Sequence, residues 1–396
     1  MKKNGKKIYL INVLFYLFLL IPLFKPICLT IVYPKINTLF NYYLVVSSSI
    51  ILLIYILNCK VNKNTLYMIM FFMILLLSTY MNNGNIYGCF LCAIKSLSIS
   101  FLIDYGLSKN GKSFLIAFEI LFSLLIYINF ISLIIYPDGM YVSSISGYAH
   151  NWFLGFKNIH ILYILPAILV SYINCYMDKK NCSIRTIILL IVSIISILKV
   201  WSATGIVGIS LVLIYILFNK KIISIKLFNL KNYLIGVISI FMCVVVFRVQ
   251  NIFRYLIVDI LKKDLTFTGR TYIWDYVIKY IQKRPIIGYG MEYSDIRFNK
   301  GINFHSYHAH NIILEIIYKT GIIGLLLIIF VVKDVIKRLN EYKTEKISKI
   351  LSFWILIYMI ITLTEAYDLE LILFIFTLAS NVKYLILNKE REEVEN

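Results

Sequence analysis

The sequence predicts an all-α integral membrane protein, and three features carry that prediction. Hydrophobic residues fill 60% of the 396 positions and charged ones only 15%, too few to clothe a water-soluble surface of this extent. The apolar residues fall in runs that reach the roughly 17 to 25 positions needed to cross a hydrocarbon core. Lys and Arg sit mostly in the short connectors between those runs, as the positive-inside rule describes. A soluble chain of this length would divide into two domains, whereas one bundle of about twelve helices accounts for nearly every residue. A single polytopic domain over 1–396 is therefore expected.

The first run, 8–24, follows Lys2, Lys3, Lys6 and Lys7. This basic start places the N-terminus in the cytoplasm, and without a small-residue cleavage site the run reads as a first span rather than a removed signal peptide. Further spans are expected at 36–57, 65–81, 86–107, 113–136, 159–177, 184–200, 203–218, 233–250, 311–332, 349–364 and 369–387. Counting from inside, alternate connectors should be basic. Lys60 and Lys63, Lys109 and Lys112, Lys179, Lys180 and Arg185, Lys220, Lys221, Lys226 and Lys231, and the stretch from Lys333 to Lys349 all fall on that side, as does the tail with Lys389 and Arg391. The expectation is a multi-pass protein of the cytoplasmic membrane with both termini inside.

Two polar segments remain for the opposite side, a short one at 137–158 and a large extracytoplasmic loop at 251–310 containing short helices. All five histidines, His150, His160, His305, His308 and His310, lie in or at the edge of these segments, which points to one external site. The long loop is also basic, carrying Lys262, Lys263, Arg297 and Lys300 among others. Such charge suits either a solvated surface or a floor for an anionic substrate. Within it, apolar and aromatic residues from Tyr272 to Ile281 recur at helical spacing, with Thr268 or Gly269 as a cap and Pro285 as a stop. Trp274 on that helix has a packing or headgroup-layer role as its plain explanation.

A net charge of +20 would point to nucleic acid on a soluble protein. Here topology explains it, and no nucleic-acid partner is expected. The seven cysteines sit in or beside apolar runs, which argues against a disulfide framework and for packing, including Cys89-x-x-Cys92, whose redox spacing falls inside a span. A zinc site from His305, His308 and His310 would be crowded into one loop without a rigid frame, so no metal is assigned.

The loop carries an ordered set of motifs: Gly269-Arg270-x-x-x-Trp274, Pro285-x-x-Gly288-x-Gly290, His308-x-His310-Asn311-x-x-x-Glu315 and Gly321-x-x-Gly324. An earlier patch reads Gly155-x-x-Asn158-x-His160. In this order the residues resemble the O-antigen polymerase and O-antigen ligase superfamily, the Wzy-type polysaccharide polymerases included. The resemblance implies a metal-independent, cofactor-free glycosyltransferase using polyprenyl-diphosphate-linked glycans, undecaprenyl diphosphate being the usual carrier. Charge that builds on a departing diphosphate calls for cationic donors, and arginine pairs two phosphate oxygens at once.

Arg270 takes that role by the Gly-Arg match, with loop bracing as its alternative. His310, with a near-neutral intrinsic pKa, suits proton transfer with the acceptor hydroxyl or a hydrogen bond to the diphosphate. Glu315 is either a base or the partner that orients His310, or else neutralises Lys319 one turn on. Substrate-binding candidates are Arg248 and Arg254, which bracket the point where a span ends, together with Asn158, Asn311 and His308. The family's Ser-Arg pair is here Trp201-Ser202-Ala203-Thr204, and Lys199 is the candidate substitute cation. The reading is polymerisation of lipid-linked repeat units into capsular or surface polysaccharide, with flippase and chain-length regulator proteins as partners beside the bilayer. Ligase-type transfer to another acceptor, a flippase or other transporter, and a noncatalytic scaffold are the alternatives.

Overall fold

The computed structural model describes residues 2–143, 149–178, 183–224, 229–252, 254–255, 265–266, 269–291, 308–367 and 369–395. Thr268, Lys179, Lys180, Cys182, Lys226, Lys262, Lys263, Arg297, Lys300 and His305 lie outside the described residues. The described chain forms α1 (Lys2–Leu20), α2 (Ile27–Ile31), α3 (Pro34–Asn58), α4 (Lys63–Met81), α5 (Ile86–Ile135), α6 (His160–Met177), α7 (Ile184–Val200), α8 (Ala203–Ser224) and α9 (Leu230–Phe241). It continues with α10 (Arg270–Lys283), α11 (Ile312–Glu341), α12 (Lys346–Thr362), α13 (Leu369–Ser380) and α14 (Val382–Glu395).

Each expected apolar run coincides with helix. The runs at 86–107 and 113–136 are one element, α5, broken at Asn110, where φ −136° and ψ 58° leave the helical region. The last run is two helices, α13 and α14, bent by 61° around Asn381. By length and composition five helices, α3, α4, α5, α6 and α11, are suited to crossing a membrane, or six with the bent pair. Shorter apolar segments are Tyr9–Phe24, Ala203–Phe218 and Leu230–Val246. The fold is thus a helical membrane architecture with five or six long apolar helices, and a count near twelve further requires the short helices and both halves of α5 to cross.

Among the described residues, one segment forms strands. The polar segment after α5 folds into a three-stranded antiparallel sheet of β1 (Tyr141–Ser143), β2 (Ala149–Trp152) and β3 (Gly155–Phe156), with Tyr141 opposite Asn151 and Trp152 opposite Gly155. Pro137 and Gly139 end the preceding helix, and the freed backbone groups pair across strands instead. The Trp152 indole N–H donates to the Tyr136 carbonyl at 2.8 Å and ties the sheet to the end of α5.

The core is centred on α6, which is buried on nearly every side. A helix apolar all round belongs inside a bundle. Trp354 of α12 donates to the Leu165 carbonyl at 3.1 Å, and Phe118 of α5 stacks on Phe374 of α13 with ring centroids 4.5 Å apart. Charges within the helices are satisfied, as an apolar surrounding demands. The Asp104 carboxylate accepts from Asn62, Thr65 and Asn381 at 2.8, 2.8 and 2.6 Å, and Glu119 accepts from Ser171 and Asn174 at 2.8 and 2.6 Å. The described cysteines are free thiols.

The Pro-x-x-Gly-x-Gly and Gly-x-x-Gly motifs meet as a backbone seam. α11 breaks at Gly321, in the left-handed region with φ 63°. Across the break, the N–H groups of Tyr289 and Gly290 donate to the Tyr318 and Lys319 carbonyls at 2.8 Å each, and Ile322 N–H donates to the Pro285 carbonyl at 2.8 Å. A Cβ on Gly321 would lie 2.1 Å from the Ile286 oxygen, and one on Gly288 2.5 Å from the Tyr318 oxygen. Backbone cannot yield to so close a contact, so both positions require glycine.

Gly321→Ala should therefore lower stability by about 2 kcal/mol or more, through left-handed strain and overlap together. Gly236→Ala, in α9 with nothing within 4 Å of the added atom, should be neutral or stabilising by up to about 1 kcal/mol. Thermal unfolding of both variants in detergent checks the contrast, and equal midpoints would contradict it.

Candidate active site

A buried carboxylate that the sequence reading did not single out organises the site. Glu365 lies in the connector between α12 and α13. Its Oε1 is 2.7 Å from His310 Nδ1, and its Oε2 accepts from Arg270 Nη2 at 3.1 Å and from Asn158 Nδ2 at 2.9 Å. Asn158 in turn accepts at its Oδ1 from the Ser202 hydroxyl at 2.9 Å. Residues from the β3–α6 turn, the start of α8, the start of α10 and the turn before α11 thus converge on one carboxylate.

Local sequence sets each side chain. Gly269 takes φ 84°, and this left-handed cap directs the chain into α10 with Arg270 as its first residue. α10 is then seated by Ile273, Trp274 and Val277, which bury against Ala309, Leu314 and Tyr318. Trp274 is a packing residue. His310 has φ 48°, uncommon for a residue with a side chain, and its neighbours hold it there. Asn311 caps α11, its Oδ1 accepting from the N–H groups of Ile313 and Leu314 at 3.0 and 3.1 Å, while its amide donates to the Leu363 carbonyl at 2.8 Å. That last bond fixes the Glu365 connector beside His310. Glu315 accepts from Ala309 N–H at 2.7 Å and pairs with Lys319 at 2.7 Å.

Of the sequence candidates, the structure brings Arg270, His310 and Asn158 onto Glu365, with His308 Nε2 at 3.8 Å. Asn311 and Glu315 do not touch Glu365; they serve as cap and brace, and the orientation of His310 expected from Glu315 is supplied by Glu365. Arg248 donates to Asp275 and to the Thr271 carbonyl at 2.6 and 3.1 Å, with its guanidinium 5.1 Å from the Trp274 ring centre. It braces α10. Arg254 and Lys199 are exposed, and no described contact carries either to the cluster. The histidines divide as well. His160 is buried, Nε2 against the Gly155 carbonyl at 3.2 Å, and His150 lies on β2 opposite Val142.

Electrostatics assigns the protons. Burial alone would raise the Glu365 carboxyl, but the hydrogen bond from His310, together with the neighbouring Arg270 guanidinium, outweighs it and holds the group below its usual range. An ionised carboxylate only accepts, so the His310 Nδ1 that faces Glu365 carries a proton. Burial, then the neighbouring His310, push His308 down to about 4, so it is neutral at physiological pH. The ligand atoms of His308, His310 and Glu365 lie within 4.8 Å of one another, and these are the residues that would hold a metal. The Arg270 guanidinium on the same carboxylate opposes a second cation there.

A helical membrane protein with an Arg, His and Glu cluster at one end of its bundle is the class these features define. Residues 185–329 match the O-Antigen ligase family, a stretch that includes Arg270, His310 and the glycine seam but neither Asn158 nor Glu365. A Rickettsia felis (strain ATCC VR-1525 / URRWXCal2) protein named as a polysaccharide ligase is 34% identical over 86 residues. That alignment covers 19% of this chain and 21% of the relative, so the chain matches about a fifth of that protein's length. No solved structure matches the chain. The resemblance to the O-antigen ligase and polymerase superfamily read from the motifs is borne out by these matches.

The depressed His308 makes a pH prediction. Its folded value of about 4 lies below the ordinary 6.5, so its contribution to stability is complete above pH 6.5 and is lost as pH falls toward 4. In detergent, the unfolding midpoint of His308→Gln should decline less steeply between pH 6.5 and 4 than that of the wild type; parallel curves would refute the assignment.

Proposed function

We propose that the protein is a membrane glycosyltransferase that moves a glycan from a polyprenyl diphosphate to an acceptor sugar hydroxyl. The cluster would sit at the outer face of a cytoplasmic membrane that the chain crosses about twelve times, with both termini inside. The observation that supports this reading most is the sharing of Glu365 between Arg270 and His310. It sets a base and a fixed cation side by side.

In the proposed reaction the acceptor oxygen attacks the anomeric carbon and the bond from that carbon to the diphosphate oxygen breaks. The electron pair leaves with the diphosphate, and the acceptor proton passes to His310 Nε2. Glu365 stabilises the imidazolium that forms, as a carboxylate does for a histidine base generally. Arg270 spends one nitrogen on Glu365 and offers its other N–H groups to the leaving group, where charge accumulates. Asn158, itself oriented by Ser202, keeps Glu365 turned toward both partners. No step calls for a metal.

Joining repeat units into surface or capsular polysaccharide is the polymerase form of this reaction, with a flippase and chain-length regulators as partners. The family description and the name of the Rickettsia relative favour the ligase form, in which a finished glycan goes to a different acceptor. Product length separates the two. Incubating purified protein with lipid-linked repeat units should give a ladder on a gel if it polymerises, and a single added step onto a supplied acceptor if it ligates.

Arg270→Ala, His310→Ala and Glu365→Gln should each reduce transfer by about 10²-fold or more without loss of membrane insertion, while lipid-linked units accumulate. Normal glycan chain length in all three would reject the site, and loss of lipid-linked units from the outer leaflet would favour a flippase. EDTA treatment should leave the transfer rate unchanged; a loss restored by a divalent cation would reassign His308, His310 and Glu365 as metal ligands.

A further inference from the structure

The end of the bundle remote from Glu365 holds a cavity of about 510 Å³, walled by the start of α4, the middle of α5, the end of α11 and the α13–α14 bend. Asn311 caps the start of α11 and Arg338 lies in its last turn, so this cavity and the Glu365 cluster lie at opposite ends of that element. Four basic side chains line it, Lys60, Lys109, Arg338 and Lys383, against one carboxylate, Asp104. Arg338 is held by Asp334 at 2.7 Å. The three lysines have no carboxylate partner among the described residues, and all three are exposed at the cavity.

No ion pair joins Asp104 to the three lysines among the described residues. The Asp104 oxygens accept from Asn62, Thr65 and Asn381, so it acts as a knot joining α4, α5 and the α13–α14 bend in the cavity wall. Asn58, Ser108 and Tyr384 add polar side chains to the wall. Unpaired ammonium groups converging on a polar concavity between membrane helices recognise phosphate. The surface beside the cavity indicates which phosphate. Leu53, Ile56 and Leu57, on the last turns of α3 that lead to Asn58 and Lys60, are 59, 66 and 73% exposed, an apolar row on which an acyl chain can lie.

We propose that this cavity is a binding site for the phosphate headgroup of an anionic phospholipid, held by Lys60, Lys109 and Lys383 with the acyl chains along α3. The site is separate from the glycosyl-transfer cluster and does not depend on how that cluster is read.

Native mass spectrometry of the full-length protein in detergent, titrated with dioleoyl phosphatidylglycerol or dioleoyl phosphatidylcholine, tests it. The wild type should bind the anionic lipid about tenfold or more tightly than the zwitterionic one, and Lys60→Ala, Lys109→Ala and Lys383→Ala combined should remove that preference. A control triple, Lys337→Ala, Lys343→Ala and Arg391→Ala, lowers the charge by the same amount elsewhere and should keep it. Displacement of the lipid by millimolar inorganic phosphate would uphold a phosphate site but assign it to a soluble ligand. Equal binding of the two lipids by the wild type, a comparison that needs no variant, would overturn the proposal. So would an unchanged preference in the cavity triple once gel filtration shows it to be folded.

Discussion

A carboxylate removed from water is costly unless positive charge and hydrogen bonds replace the solvent it has lost, and at Glu365 that demand is met from several distant parts of the chain. Arg270 arrives from the long loop, Asn158 from the turn after the small sheet and His310 from the start of α11. None has a local reason to be near the others. Their common partner draws α6, α8, α10 and α11 to one end of the bundle, and losing it would leave a guanidinium and an imidazole to find separate satisfaction. The Asn311 side chain keeps the arrangement in register, since one residue both caps α11 and holds the connector that carries Glu365.

The glycine seam supplies the floor beneath that cluster. Gly288, Gly290 and Gly321 all take left-handed conformations, and between them two stretches of backbone approach more closely than side chains would permit. α11 can therefore break one turn after Tyr318 while its carbonyls are satisfied by the loop rather than by lipid, which offers no donors. The aromatic rings of Tyr280, Tyr289 and Tyr318 close over the seam, with centroids 5.1 Å apart for the stacked pair Tyr289 and Tyr318. Motifs of the loop thus divide into two kinds. The glycines and Trp274 build; Arg270 and His310 are the residues proposed to act.

Much of the helical frame was legible because an apolar run bounded by charge has few alternatives in a membrane protein: α7 was expected at 184–200 and is found at Ile184–Val200. The break of α5 at Asn110 falls between two runs drawn separately. The three-stranded sheet was not legible, since strands of two to four residues carry too little periodicity to register. Arg270 and His310 were found through motif order. Glu365 was missed because it stands in a short connector with no motif of its own, although Thr364-Glu365-Ala366-Tyr367 is a polar break on the side assigned to the histidines, and that alternation was the available signal. Asn311, Glu315 and Tyr318 share a helix face by spacing, but spacing cannot tell a cap or a brace from a reacting group.

For the anionic leaving group proposed above, a site that already contains a carboxylate poses a question of charge. Glu365 weakens the attraction of Arg270 for diphosphate in the resting state, which is a disadvantage if tight ground-state binding is the goal. Catalysis rewards a different quantity, the gain in interaction between ground state and transition state. As the acceptor proton moves onto His310 on the proposed route, Glu365 acquires a full positive partner 2.7 Å away, and its claim on Arg270 weakens. At the same moment negative charge appears on the departing diphosphate. On that route the arginine would be released toward the leaving group when that group first needs it, and a shared carboxylate would couple proton transfer to bond cleavage more directly than two independent cations.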